Sequence, residues 1–102
     1  MSAVIVQGVF VVDPAVRAEF LEISIEGMQA SRHEPGCQEY VLAADPVDPA
    51  RIVLSERWDS MDDLKRHTQA VRVRQAEAEG RGVKRPEPLE RSVNVFEVVD
   101  PV

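Results

Sequence analysis

The sequence has little cysteine and no surplus of positive charge. Its 102 residues include one cysteine, Cys37, which cannot form a disulfide within the chain, so a reducing cytoplasm is the expected compartment. Twelve Lys and Arg against eighteen Asp and Glu give a formal net charge of −6. Nucleic acids and anionic membrane surfaces attract the opposite charge, so neither is an expected partner.

Long apolar runs and the usual metal and phosphate motifs are also missing. No run approaches the ~20 residues that a membrane-spanning helix needs, and no basic segment precedes the apolar N-terminal stretch, so a signal peptide is not expected. Two histidines and one cysteine lie too far apart for a structural zinc site. Gly80-Arg81-Gly82 follows a helical pattern instead of a strand, which is the wrong context for a phosphate loop. No metal site is predicted.

A chain of this length is expected to form one domain over residues 1–102. Folded alone, it would bury roughly 60–68% of its unfolded surface. Yet 44% of its residues are apolar, more than so small a domain hides easily. A partner surface is therefore expected.

Residue periodicity predicts four strands and two helices. The strands are expected near residues 3–12, 36–44, 51–58 and 89–99, the first buried on both faces because it is Val-rich and uncharged. Asp13-Pro14 begins a helix that ends near residue 32, before Glu34-Pro35-Gly36. Ser60 caps a second helix that reaches about residue 79, with a break near Ala70 as an alternative.

This order of elements predicts a ferredoxin-like, split βαβ fold of the α+β class. Its four-stranded antiparallel sheet carries both helices on one face. The other face still holds apolar residues such as Val53, and it needs a cover. Two copies packed sheet to sheet would supply that cover, so a homodimer with the form of a dimeric α+β barrel is expected.

The stretch from Ser55 to His67 is predicted to run from a strand directly into a helix. Alternation along the strand places Leu54, Glu56 and Trp58 on one face. His67 follows two turns into the helix, on the edge of its inward side. We therefore predict that Glu56, Trp58 and His67 line one pocket between the sheet and the helices.

Each candidate also has a structural interpretation. Trp58 suits an ordinary core position. Glu56 faces a covered surface and needs either a raised pKa or a partner, for which an ion pair with an arginine is favoured. His67, whose side chain has an ordinary pKa near ~6.5, suits a general base or a half-exposed place beside the apolar stripe. Gln7 and Tyr40 are candidates for substrate binding, with a satisfied core amide and cross-strand packing as their alternatives.

Two motifs stand out beside the Val-rich first strand and the proline-started helix. They are S-R-x-E-P-G-C over residues 31–37, followed by Tyr40, and E-x-W-x-S-x-x-x-L-x-x-H over residues 56–67. Together they resemble the antibiotic biosynthesis monooxygenase family, whose members are small dimeric α+β-barrel proteins. The resemblance extends over nearly the whole chain.

The resemblance implies an oxidoreductase, a cofactor-independent monooxygenase that acts on a small aromatic quinol or phenol and dioxygen. In such enzymes the deprotonated substrate reduces dioxygen, while the protein supplies binding, a proton acceptor and exclusion of water. Trp58 matches the family's pocket tryptophan and His67 its helix histidine, the implied proton acceptor. Leu54, a further substrate-binding candidate, occupies the position where the polyketide-tailoring type has an asparagine, so that hydrogen bond is missing.

Two alternatives stay open. A haem-degrading monooxygenase would use the helix histidine as an iron ligand together with a first-strand asparagine, close to whose position Gln7 stands. A non-catalytic, small-molecule-binding dimer would keep the pocket without turnover. Leu54 in the asparagine position and the shortage of polar pocket residues favour this second alternative.

Overall fold

A computed structural model describes residues 2–99 and shows the predicted order of elements. The elements are β1 (Val4–Val11), a 3-10 turn (Pro14–Val16), α1 (Arg17–Arg32), β2 (Cys37–Ala44), β3 (Arg51–Trp58), α2 (Met61–Gly80) and β4 (Glu90–Glu97). Each strand lies within two residues of its predicted bounds. Neither helix combines the length and the apolar composition that crossing a membrane requires, as far as residues 2–99 are concerned.

The four strands form one antiparallel sheet in the order β2-β3-β1-β4. β1 is central and pairs with both β3 and β4, while β2 lies at the edge beside β3. The two helices connect β1 to β2 and β3 to β4, the connectivity of the split βαβ unit. The predicted ferredoxin-like α+β fold is confirmed.

The core lies between the sheet and the helices. Strict alternation on β1 and β3 turns every second side chain toward it. The buried apolar side chains are Val4, Val6, Phe10, Val12, Phe20, Leu42, Ile52, Leu54, Trp58 and Leu64. One helix contributes Phe20 and the other contributes Leu64.

Nothing in residues 2–99 covers the other face of the sheet. Along β1, Gln7 is exposed and Val9 is only partly buried, so the prediction that this strand is buried on both faces is wrong for a single chain. Phe96 on β4 is 51% exposed, and Ile5 pairs with it across the strands. The helices lie on one face only, because both connections pass over the same side of the sheet.

Side-chain caps mark the start of the 3-10 turn and of α2, whereas α1 itself begins at Arg17, three residues after the predicted start at Pro14. Asp13 accepts a hydrogen bond from the Ala15 amide at 2.9 Å, which satisfies a free donor at the start of the 3-10 turn. Ser60 does the same for Asp63 at the start of α2. That helix continues through Ala70, so the alternative break there does not occur.

Candidate functional site

The structure brings Glu56, Trp58 and His67 together beneath the helices. Trp58 is fully buried, and Glu56 and His67 are only 6% and 5% exposed. The Trp58 indole donates from Nε1 to Oε1 of Glu56 at 2.9 Å. Nε2 of His67 lies 3.7 Å from the same oxygen. The Trp58 and His67 rings are 4.5 Å apart between centroids and tilted by 34°.

The junction between β3 and α2 produces this convergence. Trp58 ends the strand, and the Asp59 amide donates to the Gly36 carbonyl at 2.8 Å, which ties the junction to the start of β2. Ser60 then caps α2. Leu64 and His67, three residues apart, are the two buried side chains of this helix because positions i and i+3 share one face. His67 therefore lies inside the core instead of on its edge.

Two further charged residues complete the site. Nδ1 of His67 lies 2.9 Å from Oε2 of Glu34, in the turn after α1. Oε1 of Glu34 accepts a hydrogen bond from Nη1 of Arg74 at 2.7 Å, and Nη2 of Arg74 donates to Oγ of Ser31 at 3.1 Å. A continuous polar chain therefore runs through the cluster. Its members are Arg74, Glu34, His67, Glu56 and Trp58.

Sequence reasoning missed Glu34 and Arg74 as site residues. In the sequence, Glu34 stands out only as part of the turn that ends α1 and of the first motif. Arg74 follows His67 by seven residues, two helical turns, and this spacing could have placed both on one face of α2. The predicted ion pair between Glu56 and an arginine is wrong. Within residues 2–99, the arginine of this cluster is Arg74, and it pairs with Glu34.

Burial changes the acid-base behaviour of Glu56. Loss of solvent raises the pKa of its carboxyl, and the nearby carboxylate of Glu34 raises it further. The Trp58 hydrogen bond and the charge of His67 lower the pKa of Glu56, but by less than burial raises it. Glu56 therefore retains a proton to higher pH than an ordinary glutamate and can exchange it inside the protein.

Tyr40 forms another side of the cluster. It pairs with Glu56 across β2 and β3, and its ring centroid lies 5.1 Å from that of His67, tilted by 57°. Burial and the Glu56 carboxylate raise the pKa of Tyr40 to about 12. Its hydroxyl group is therefore a neutral hydrogen-bonding group near neutral pH.

The other two substrate-binding candidates lie on opposite faces of the sheet. Leu54 is buried on the helix-covered face, two residues before Glu56. Gln7 pairs with Ser55 and Asn94 on the open face and is exposed. The expectation that Gln7 contributes to this pocket is corrected, since successive side chains on a strand point to opposite faces.

The surface depressions lie beside the cluster and not within it. One, of about 310 Å³, is lined by Arg32, Cys37, Gln38, Glu39, Tyr40 and Val41. A second, of about 260 Å³, lies at the amino end of β1, beside the start of α2, where Val4, Ser60 and Glu97 are among its lining residues. Neither is lined by Glu56, Trp58 or His67. The candidate site is therefore the polar chain from Arg74 to Trp58. The first depression borders Tyr40, whose ring contacts His67 of that chain.

The surroundings of His67 do not fit a haem ligand. Each ring nitrogen faces a carboxylate, Nδ1 toward Glu34 and Nε2 toward Glu56. The ring is also packed between Trp58 and Tyr40. Within residues 2–99, no cluster of three histidine, cysteine or carboxylate side chains is arranged to hold a metal ion.

Comparison with known proteins gives a consistent result. The model of the antibiotic biosynthesis monooxygenase family matches residues 3–79. Among solved structures, a candidate antibiotic biosynthesis monooxygenase from Chloroflexus aurantiacus is 30% identical, with a TM-score of 0.66 over 98% of each chain. Rv0793 from Mycobacterium tuberculosis is 27% identical, with a TM-score of 0.73 over 98% of each chain.

Similarity of fold extends to more distant sequences. A candidate antibiotic biosynthesis monooxygenase from Nitrosomonas europaea is 18% identical, with a TM-score of 0.77 over 97% of this chain and 92% of its own. A search of curated proteins found no match. Because the family model spans most of the sequence, this chain belongs to the antibiotic biosynthesis monooxygenase family.

Proposed function

We propose that this chain is a cofactor-independent monooxygenase that oxidises a small aromatic quinol or phenol with dioxygen. Membership of the family supports monooxygenase-like chemistry or small-molecule binding. The observation that carries the proposal is the pairing of His67 with the buried carboxyl of Glu56, 3.7 Å apart and flanked by Trp58 and Tyr40.

The chemistry requires a proton acceptor beside an aromatic surface. A phenol has an ordinary pKa near ~10, so a positioned base is needed to form the electron-rich anion near neutral pH. His67 and Glu56 supply the acceptor, while the rings of Trp58 and Tyr40 supply aromatic walls. Burial of the site keeps water away from the reactive anion.

The electrons come from the substrate itself. For an anthrone-like phenol, a ring CH₂ group becomes a C=O group as dioxygen supplies one oxygen atom to the product and one to water. The carbon loses four electrons and dioxygen gains four, so the reaction balances without another reductant. The protein binds the substrate, removes its proton and returns that proton to the water that forms.

Substrate access is proposed from the side of Tyr40. Trp58 is completely buried, and the cluster is densely packed. The 310 Å³ depression borders Tyr40 and Cys37, which is the strand partner of Trp58. Rotation of the Tyr40 ring would connect this depression to His67.

Oxygen consumption with a panel of hydroquinones and anthrone-like phenols tests the proposal. Turnover is expected, and His67→Gln should lower kcat by about 10²-fold or more, the lower end of what general acid-base catalysis contributes. Glu77→Gln is the matched control, an exposed glutamate on the same helix that should leave turnover unchanged.

Two results would contradict the proposal in different ways. Binding of the panel compounds without oxygen consumption would indicate a small-molecule-binding protein. A Soret shift on haem titration that His67→Ala abolishes would indicate a haem-degrading enzyme, against the geometry around His67.

We also propose that the active form is a homodimer joined through the open sheet face. Val53 and its strand partner Val9 lie at the centre of this face and are only partly buried in one chain. Burial of such a surface against a second copy would be favourable, at about 25 cal/mol for each Å² of apolar surface. Sedimentation should show a dimer that Val53→Lys dissociates, whereas Val73→Lys, on an exposed helix position, should not. A monomeric wild type would contradict this assembly.

A further inference from the structure

His67 lies between two carboxylates that it meets with different nitrogens. Nδ1 is 2.9 Å from Oε2 of Glu34, and Nε2 is 3.7 Å from Oε1 of Glu56. A neutral imidazole carries a proton on one nitrogen and a lone pair on the other. Only the tautomer with the proton on Nδ1 leaves Nε2 free to accept a proton on the side of Glu56 and Trp58.

Arg74 limits what Glu34 can do. A guanidinium group is a donor only, and Nη1 of Arg74 donates to Oε1 of Glu34 at 2.7 Å. The other guanidinium nitrogen donates to Oγ of Ser31 at 3.1 Å, and that hydroxyl donates to the Gly27 carbonyl at 2.7 Å. The arginine is therefore held from two sides, and the carboxylate that it orients presents an acceptor to His67.

We propose that Glu34 is a positioning residue that holds His67 in the tautomer protonated on Nδ1. Nε2 then remains free to exchange a proton with Glu56 and with a bound substrate. The catalytic meaning of this arrangement rests on the function proposed above, but the tautomer itself does not. The titratable and charged groups that face His67 are Glu34, Glu56 and Tyr40, with Arg74 acting through Glu34.

The variant Glu34→Gln should reverse the tautomer with almost no change in shape. Arg74 requires an acceptor, so the amide oxygen takes the position of Oε1. The amide NH₂ group then faces Nδ1 of His67 and donates to it. The imidazole proton must move to Nε2, which loses its capacity to accept a proton.

Nitrogen-15 NMR of the imidazole in the substrate-free protein measures this directly. At a pH where the imidazole is neutral, the wild type should show a protonated Nδ1 and a bare Nε2. Glu34→Gln should show the reverse, and the exposed control Glu77→Gln should match the wild type. The chain has two histidines, so the measurement uses a His33→Gln background to isolate the signal of His67.

A second variant keeps the test decisive if Glu34→Gln fails to fold. Arg74→Met leaves the carboxylate of Glu34 in place, and a carboxylate has no proton to donate, so Nδ1 should stay protonated. A wild type protonated on Nε2 would overturn the proposal. So would a Glu34→Gln protein whose tautomer equals that of the wild type, or an Arg74→Met protein whose proton moves to Nε2.

Turnover gives the second readout. With a substrate found in the oxygen-uptake panel, Glu34→Gln should lower kcat by about 10²-fold or more, with a smaller change in KM, because it removes the proton acceptor and leaves the walls of the site intact. Absence of turnover with every compound would refute the proposed function alone. The NMR result would still decide whether Glu34 sets the tautomer.

Discussion

Trp58 and Glu56, two residues apart on β3, are joined by a hydrogen bond in which the indole N–H donates to Oε1 of the carboxyl group at 2.9 Å. Residues two apart on a strand share a face, so the pair forms without help from another element. The bond satisfies the indole donor, which would otherwise be buried without a partner. It also leaves the carboxyl group in a desolvated position beside His67.

The raised pKa of Glu56 predicts a pH-dependent effect of Glu56→Gln. A carboxyl group whose pKa is raised on folding stabilises the protein at low pH, below its unfolded pKa, and that contribution is lost as the pH rises through its folded pKa. The amide variant lacks this titration. Its free energy of unfolding should therefore increase relative to the wild type as the pH rises above the ordinary glutamate pKa of about 4.

Urea unfolding over a pH series measures this difference, with Glu77→Gln as the exposed control. The control should follow the wild type throughout. A constant difference between Glu56→Gln and the wild type over the same range would show that burial does not raise the pKa of Glu56.

Tyr40 should titrate later than an ordinary tyrosine. Its pKa of about 12 in the folded protein is above the ordinary value of 10.0 because the phenol is partly buried and lies near the Glu56 carboxylate. The contribution of the neutral phenol to the free energy of unfolding should be fully present below pH 10 and should be lost as the pH rises toward 12. Tyr40 is the chain's one tyrosine, so ultraviolet absorbance reports it directly. The urea-unfolded protein should titrate near 10, and a folded midpoint at that value would contradict the burial of Tyr40.

Loss of the indole donor should destabilise the fold. Trp58→Phe removes a hydrogen bond to a carboxyl group, worth about 1.5–3 kcal/mol when the carboxyl is ionised, and leaves a small gap in the core. Urea unfolding at neutral pH measures the loss. In a Glu56→Gln background the same substitution should cost less, since the acceptor is then an uncharged amide. Equal costs in the two backgrounds would show that the charge of the carboxylate adds nothing to the strength of this hydrogen bond.

Gly36 should not tolerate a side chain. Its φ of 80° lies in the left-handed region, and a β-carbon there would collide with the side chain of Asp63. Gly82 has a φ of 79° with open space around it, so it provides a matched control. Gly82→Ala should cost about 1–2 kcal/mol, from backbone strain alone. Gly36→Ala should cost more. It should also weaken the contact of Glu34 with His67, because Glu34 and Gly36 belong to the same turn.

Thermal or urea unfolding of the two alanine variants gives the comparison. The His67 imidazole NMR signals report the second effect. Equal destabilisation at the two glycines would mean that Asp63 moves aside at no cost.

Local patterns were sufficient to predict most of the fold. The alternation of β3 placed Glu56 and Trp58 on one face, and Ser60 marked the start of the helix that carries His67. These features depend on residues within a few positions of one another. The same alternation on β1 would have placed Gln7 away from the cluster only if the face of β1 that points to the helices had been known. Apolar residues lie on both faces of this strand, so the sequence does not show which face that is.

Glu34 and Arg74 could not be paired with His67 by such rules. Glu34 is 33 residues from His67 and 40 from Arg74 along the chain. Their contact depends on how the turn after α1 packs against α2. The sequence shows that each residue exists but not that they meet.

Sequence alone determined the order of the strands and helices, the start of the second helix and the side of β3 that faces the helices, because backbone periodicity and capping act over short distances. Tertiary structure decided that His67 lies between two carboxylates and that Gln7 faces the open side of the sheet. The physical reason is that hydrogen bonds and desolvation depend on three-dimensional proximity. Three separate segments of the chain supply Glu34, Glu56 and His67, and only folding brings them within 4 Å.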